Sequence, residues 1–563
     1  MIEVSRWKLY PQHKDIALQL SETLDISPIS SQLLLNRSIE SLVEVKKYLG
    51  ITQEFVQFDS SLLDSILVLI KKAINQKKPI FLYGDYDVDG MTSVSMMVKA
   101  LTAIGATVRY KLPHRFLDGY GLNDSIVKLL QDESCGLLMT LDCGITNVNE
   151  ITAIKKETDV DVVIVDHHQI PELSPPADLI LNPKSEGTPS SLESLCTAGI
   201  VYKFIQFLSS HYDCIDCEDY IALAALGTVA DVVPLQQENR VIVSRGLKVL
   251  SQRRNKGIKQ LLECARVDKQ NLSVDDIGFV IAPRLNAAGR LSTAHKGVEL
   301  LLSQTDSQAK NIALQLEKLN QERRQLDTDV VAECLAMIEE SDHYQKQPVL
   351  VIGQKNWHAG VIGIAASKLV SRFSRPVVIV GMEEEVGRGS ARSFGQVNIY
   401  SLIKECQNHL TTFGGHKQAA GFSLKTEQFG HFKQALENVC AVKVNKEMLH
   451  EVVFADMALS GQDITDQLLR DIDVLSPFGH GNQAPLFYSD SFAISDSRLV
   501  GNGKHLKVTL QCKKSRKKFD GIGFNLGEKL PKVYNKEQHF LFSVERNIWN
   551  GRESIQLNIK DIK

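Results

Sequence analysis

Short apolar runs closed by glycine or by acidic residues alternate, in the first half of the chain, with longer stretches whose apolar positions fall at helical spacing. The run at 80–83 (IFLY) ends at Gly84, GLLMTL (136–141) ends at Asp142, and DVVIV (161–165) ends at Asp166. ATVRYKLP and ADLILNP (177–183) belong to the same series. Apolar runs of this length bounded by turn signals read as buried strands. Between them, MTSVSMMVKALTAIG keeps helical spacing after Gly90 and stops on Gly105, SLLDSILVLIKK (61–72) is helical, and so is YIALAALGTVADVVPL, which contains Asp231 near its end. Strands alternating with helices predict an α/β domain with a mostly parallel, doubly wound sheet. Right-handed crossovers would bring the carboxyl ends of its strands to one side.

The pattern then changes. Residues 281–297, IAPRLNAAGRLSTAHKG, read as Arg284 and Arg290 bracketing a glycine-containing turn. From 306 to 340, helical spacing persists through Ile312, Leu316, Leu319, Leu326, Val330 and Met337, too long for an average helix and suited to a connecting rod. A second, smaller α/β unit starts at PVLVIG (348–353), with WHAGVIGIAASKLV as a helix, PVVIVG as a strand, GRGSARSFG after it, and FGGHKQAAGFS as a later loop. From about residue 449 the texture is short alternating segments with turns, the mark of a small β-barrel. The expected divisions are 1–55, a small helical cap; 56–300, the parallel-sheet domain; 301–345, the connecting helix; 346–445, the second α/β unit; and 446–563, the barrel.

Composition narrows the class. A chain of 563 residues, 43% hydrophobic and 23% charged, is ordinary globular protein with room for three or four domains. No apolar run approaches a membrane span and the start lacks a signal-peptide pattern, so a cytosolic protein is expected, with no membrane partner. Ten scattered cysteines read as reduced thiols; Cys214 and Cys217 form the one C-x-x-C, which lacks a second pair for zinc. A net charge of −3 offers no global attraction to nucleic acid, so any such contact needs locally gathered cations. The run KKSRKK (513–518) is one place for them, although a charged hairpin tip explains it equally.

The candidate chemistry lies at the strand ends. In GDYDVDG, Asp85, Asp87 and Asp89 stand at alternate positions, and extended backbone would turn all three to one face at the carboxyl end of a strand, where α/β sheets bind ligands. Crowded carboxylates repel unless a cation lies between them. A solvated acidic turn is the plain alternative. An EF-hand is disfavoured, since position twelve is Met96 and a strand comes first. Two further strands end in Asp142 and in Asp166, His167 and His168, which makes three strand ends carrying metal-compatible groups.

Together GDYDVDG, LDCG (141–144), DHH (166–168) and GTVADVVPL resemble the successive motifs of the DHH phosphoesterase superfamily, and FGGH (413–416) resembles the motif of the DHH-associated domain. Within that superfamily, RFLDGYGL, ALGTVADVVPL, RLNAAGRL, WHAGVIGIAAS, GSARS, FGGHKQAAGF and HLKV are similar, in the same order, to the RecJ family of bacterial single-strand-specific 5′→3′ exonucleases. Cys143 stands where other members can carry Asn. The resemblance implies a DHH domain, a DHH-associated domain and an OB-type barrel. It also implies two divalent ions, manganese by preference or magnesium, held by Asp85, Asp87, Asp89, Asp142, His167 and Asp231, with Asp142 bridging. His168 would meet the scissile phosphate, and Asp166 would orient a ligand. Arg115, Ser390 and Arg392 correspond to a 5′-phosphate pocket, Tyr120 to an aromatic beside the site, Arg290 to a DNA contact and His416 to the associated domain's histidine. The implied activity is release of 5′-mononucleotides from single-stranded DNA by two-metal hydrolysis. The implied setting is recombination and repair, alongside a helicase and a single-strand-binding protein, as a monomer. A DHH phosphodiesterase for oligoribonucleotides or small nucleotides is the alternative enzyme. A scaffold that has lost catalysis is a third reading, against which stands the retention of every metal carboxylate.

Overall fold

In the computed structural model, which describes residues 5–50, 56–529, 538–549 and 552–563, the early apolar runs pair into one five-stranded sheet. Its strands are β1 (Ile80–Gly84), β2 (Val108–Lys111), β3 (Leu137–Leu141), β4 (Asp161–Val165) and β5 (Leu179–Leu181), all parallel, in the order β2-β1-β3-β4-β5. The runs are continuously apolar because both faces are covered. On one face Phe81, Tyr83, Leu138, Val162 and Ile164 pack with Ile126, Leu130, Ile151 and Ile154. Helix α1 (Val88–Ala103) and the helix Ser60–Asn75 pack on the sheet as well. Helices α2 (Thr197–Ser209) and α3 (Glu218–Ala230) lie against α1. The strand order reverses direction between β1 and β3, and this is the switch point at which doubly wound sheets open a crevice for ligands.

Two compact units make up the described chain. One comprises Lys8–Leu285, Ala294–Ala313 and Phe454–Lys563; the other comprises Asn286–Thr293, Leu314–Val453 and the residues up to Trp7. The predicted rod is a single helix, α4 (Asp306–Glu339), shared by the two. The predicted turn between Arg284 and Arg290 is instead helical: a π-turn at Ile277–Ile281 runs straight into the helix Ala282–Leu291. Gly289 reads as punctuation in the sequence, but one glycine within a helix costs only about 1 kcal/mol, which packing readily offsets.

The second unit holds a mixed sheet of β6 (Leu350–Lys355), β7 (Val377–Met382), β8 (Val386–Arg392), β9 (Thr412–His416) and β10 (Ala419–Lys425), in the order β9-β10-β8-β7-β6. Alternation along β6 and β7 divides its core. Val351, Val378 and Val380 meet Phe432, Leu436 and Cys440 of the helix Phe429–Lys443. Leu350, Ile352, Val377 and Ile379 meet helix α5 (Ala359–Phe373) and Val330, Cys334 and Ile338 of α4. FGGHKQAAGFS, expected as a loop, is the hairpin β9–β10, with Phe413 opposite Phe422 and His416 opposite Ala419.

The C-terminal strands β11 (Met457–Ala458), β12 (Phe487–Ser489), β13 (Phe492–Val500), β14 (His505–Cys512), β15 (Lys518–Gly523), β16 (Phe540–Trp549) and β17 (Arg552–Ile562) form one ladder, β11-β12-β16-β17-β15-β14-β13. Phe492 on the edge strand β13 nevertheless lies 6.4 Å from Phe540 and 6.1 Å from Phe542, ring centre to ring centre. Both partners are on β16, four strands away, a span of roughly 19 Å in a flat sheet. The sheet therefore curls around its core, as the expected barrel requires.

The N-terminal helices join that core. Leu33, Leu34 and Val45 are buried among Leu468, Phe487, Phe492 and Phe542. Of the cap predicted over 1–55, residues 1–4 and 51–55 lie outside the described residues.

Candidate metal centre

Asp85 follows directly on β1, and its backbone N–H donates to Leu141 of β3 at 3.2 Å. Beyond it the chain turns rather than extending. Asp87 caps α1, accepting from the N–H groups of Asp89 (2.9 Å) and Gly90 (3.3 Å), and Asp89 lies in the helix's first turn. Asp85, Asp87 and Asp89 therefore converge through a strand–turn–helix corner, not along one strand face as the alternation of the sequence predicts. Gly90 makes the corner possible, because a Cβ there would sit 2.4 Å from the Asp85 carbonyl oxygen. Gly227 of α3 does the same one layer away, where a Cβ would press to 3.0 Å from Asp89 Oδ1.

Asp142 follows β3 with φ +68°, a left-handed conformation that aspartate adopts more readily than most other non-glycine residues. Its Oδ1 accepts from Thr197 Oγ1 at 3.1 Å and faces His167 Nε2 at 3.4 Å. His167 Nε2 also faces Asp231 Oδ2 at 3.6 Å, with Asp231 held at the C-terminal end of α3. Asp89 is gripped by the start of α2, its two oxygens accepting from the N–H groups of Thr197 (2.8 Å) and Ala198 (2.7 Å). Asp166, fully buried, accepts from the backbone N–H of Ile145 at 3.1 Å and pairs with His168 Nδ1 at 2.7 Å.

Like charges without solvent set the electrostatics. Burial, then repulsion from neighbouring aspartates, pushes the carboxyls of Asp85 and Asp142 well above the usual range. The same causes push Asp231 up to about 9 and Asp89 to about 6, although backbone N–H donors restrain Asp89. Burial lowers His167 to about 3, so its ring is neutral and able to ligate at physiological pH. For His168 burial pulls downward, but the bond and charge of Asp166 win and its pKa rises.

Among the described residues, three sets of ligand atoms each fall within 4.8 Å of one another: Asp85–Asp87–Asp142, Asp89–His167–Asp231 and Asp142–His167–His168. Asp142 belongs to two of them. Asp85 Oδ1 and Asp231 Oδ2 are buried with no hydrogen bond among the described residues. Orphaned carboxylate oxygens of this kind cost stability unless something electropositive meets them. The donor set, carboxylate oxygens with neutral imidazole, fits manganese or magnesium.

Asp166 stands outside the three sets, its oxygens spent on His168 and Ile145. The Cys143 thiol points into the core, donating to the Tyr83 carbonyl at 3.6 Å. Tyr120 donates to the Asp142 carbonyl (3.0 Å), lies 3.1 Å from His168 Nδ1 and meets its ring edge-on. Arg115 covers the Tyr86 ring, 4.9 Å from its centre. The other predicted contacts belong to the second unit. There Ser390 and Arg392 on β8 share a 3.0 Å hydrogen bond, Arg290 donates to the Gly360 carbonyl at 3.0 Å, and His416 ends the exposed strand β9.

Sequence reasoning missed Thr197, Ala198 and Lys184, whose ammonium reaches the His167 carbonyl. The available signal was CTAG ahead of the apolar run IVYKFIQFL, which is a helix start whose unpaired N–H groups need acceptors.

Comparison with known proteins identifies the lineage. The family models for the DHH family N-terminal domain, the DHHA1 domain and the RecJ OB domain match residues 79–228, 346–442 and 455–561. The single-stranded-DNA-specific exonuclease RecJ of Haemophilus influenzae is 31% identical over 549 residues, covering 94% of this chain and 93% of that protein. The chain belongs to the RecJ family. RecJ of Bacillus subtilis is 33% identical over 563 residues, 99% of this chain and 70% of that protein. The crystal structure of RecJ from Thermus thermophilus in complex with Mn2+ superposes with a TM-score of 0.86 at 26% identity, covering 100% of this chain and 80% of that one. A second RecJ structure, bound to manganese, gives 0.61 at 30% identity over 69% of this chain and 97% of that one.

Proposed function

We propose that this RecJ-family chain is a metal-dependent exonuclease that degrades single-stranded DNA from the 5′ end and releases 5′-mononucleotides. The observation that carries the reading is the buried aspartate–histidine cluster with orphaned oxygens on Asp85 and Asp231. Family membership supplies the substrate class.

Two divalent ions, held by Asp85, Asp87, Asp89, Asp142, His167 and Asp231, would neutralise the phosphodiester and supply Lewis acidity for its hydrolysis. Asp142, shared between two ligand sets, couples the two halves of the centre. His167 contributes a neutral ring. His168, fixed through Nδ1 by Asp166, turns its remaining nitrogen to the scissile phosphate and steadies the leaving oxygen. Tyr120, bonded to the Asp142 carbonyl, presents an aromatic wall to the terminal nucleotide. Arg115, Ser390, Arg392 and His416 bind phosphate, arginine doing so through its planar fork, and Arg290 contacts the strand. The OB domain grips single-stranded nucleic acid. The cellular partners are a single-strand-binding protein and a helicase, in repair and recombination in the bacterial cytoplasm, with the enzyme acting as a monomer. Among the described residues no helix is long and apolar enough to cross a membrane.

The test is end-labelled digestion with manganese of single strand, duplex and RNA in parallel, with 5′-phosphate or 5′-hydroxyl ends. The 5′ label of single-stranded DNA should be released first as mononucleotide, and faster from the phosphorylated end; Arg392→Ala should shrink that difference. Asp142→Ala should abolish cleavage while retaining strand binding. Prior release of a 3′ label would overturn the polarity, and preferential digestion of short RNA would favour the phosphodiesterase alternative.

A further inference from the structure

The start of α2 touches two of the candidate metal ligands through one residue. Thr197 donates its hydroxyl to Asp142 Oδ1 at 3.1 Å and its backbone N–H to Asp89 Oδ2 at 2.8 Å, and it is fully buried. Its neighbour Ala198 adds an N–H to the other Asp89 oxygen at 2.7 Å. The backbone donors survive any substitution that keeps the helix. The hydroxyl does not, and it acts on the one carboxylate shared by two ligand sets.

A carboxylate is free to rotate about its last torsion, and its preferred angles are broad. Asp142 serves two ligand sets, so free rotation of its carboxylate would disorder both. A hydrogen bond from Thr197 to Oδ1, the oxygen that faces His167 at 3.4 Å, restrains that rotation.

We infer that Thr197 is a positioning residue of the metal centre: its hydroxyl sets the orientation of Asp142 and so raises the affinity for divalent ions before any DNA is bound. This rests on the metal-dependent reading above. Partners that orient metal ligands typically contribute 10–100-fold in metal affinity.

The experiment is a manganese titration of the metal-free full-length protein without DNA, following free Mn2+ by electron paramagnetic resonance, for the parent, Thr197→Val and Thr197→Ser. Valine matches threonine in shape but cannot donate; serine restores the hydroxyl. Thr197→Val should weaken Mn2+ binding about 10-fold with thermal unfolding of the metal-free protein little changed, while Thr197→Ser stays close to the parent. Should the valine variant fold poorly, Thr197→Ala removes the hydroxyl without the branched methyl groups and carries the same expectation. Parent-like Mn2+ affinity in a folded hydroxyl-less variant overturns the role of Thr197 and leaves the metal centre standing. A parent that binds no Mn2+ overturns both.

Discussion

Asp231 ties the protonation of the centre to stability. Its carboxyl lies near 9 in the folded chain, raised by burial and by Asp89 and Asp87, against about 3.9 in an unfolded one. Between those values the folded state keeps a proton that the unfolded state has lost, so stability falls as pH rises through that window. Asp89, at about 6, adds a decline of the same sign below pH 6. Metal binding requires the ionised forms and strengthens with pH. Metal-free protein should therefore melt lower at pH 8.5 than at pH 5.5, while the rise in melting temperature given by Mn2+ should be larger at pH 8.5. Asp231→Asn should flatten the metal-free slope; scanning calorimetry on both proteins checks it, and equal slopes would refute the assignment. These residues were legible as chemistry before they were legible as geometry. GDYDVDG announced its carboxylates, but their convergence by a capped helix turn depends on Gly90 folding against Asp85, which no alternation rule contains. Thr197 gave no such signal, because its role arises only when a helix start 55 residues beyond Asp142 meets that carboxylate.

Elements were easiest to read where burial is two-sided or periodicity is long. DVVIV became β4 without a shift, and the rod expected over 306–340 is Asp306–Glu339. Weakly periodic segments hid their purpose, since their partners are remote in sequence. The N-terminal helices show this best. Tyr48, in the helix Leu42–Tyr48, bonds through its hydroxyl to Asn482 (2.9 Å), while Arg240 of the helix Gln237–Ser251 stacks 3.8 Å above the Tyr48 ring centre. Arg240 also donates to the carbonyls of Tyr48 (3.0 Å), Leu475 (2.8 Å) and Val474 (3.3 Å), so one buried guanidinium joins three segments. Removing it takes the side-chain donor from the Tyr48 carbonyl and the charge from a buried junction, although Leu475 keeps donors in the Tyr48 hydroxyl (3.1 Å) and Asn482 (3.0 Å). Arg240→Ala should cost about 3 kcal/mol in urea unfolding, and Arg240→Lys should recover only part of that, because an ammonium lacks the planar fork. A loss below about 0.5 kcal/mol would mean that contacts other than those of Arg240, the burial of Leu33, Leu34 and Val45 among them, hold the N-terminal helices.

Over the molecule as a whole, a net charge of −3 means that the chain does not attract DNA by its average field. Affinity must come from places where cations are concentrated, and the hairpin between β14 and β15 is the densest in sequence, KKSRKK at 513–518. Its six residues are exposed. Two of its lysines serve the fold: Lys513 donates to the Asp490 carbonyl at 2.8 Å, and Lys517 donates to the Ile464 carbonyl at 2.9 Å while lying over Phe519. Lys514, Arg516 and Lys518 remain as the phosphate-facing candidates, and they sit on the domain matched by the RecJ OB model. Each cation that neutralises a phosphate of a single strand releases about 0.7 counterion, which appears as that much slope in log affinity against log salt. Replacing all three by Gln should therefore lower the slope for a long single strand by about 2 and weaken binding at low salt. Cleavage of a substrate too short to reach the OB domain should be unaffected, since the substitutions lie outside the metal centre. Fluorescence-anisotropy titrations across a range of salt concentrations measure the slope. An unchanged slope would return the hairpin to the plainer reading of a solvated tip and leave the DNA-binding charge to the remaining basic residues.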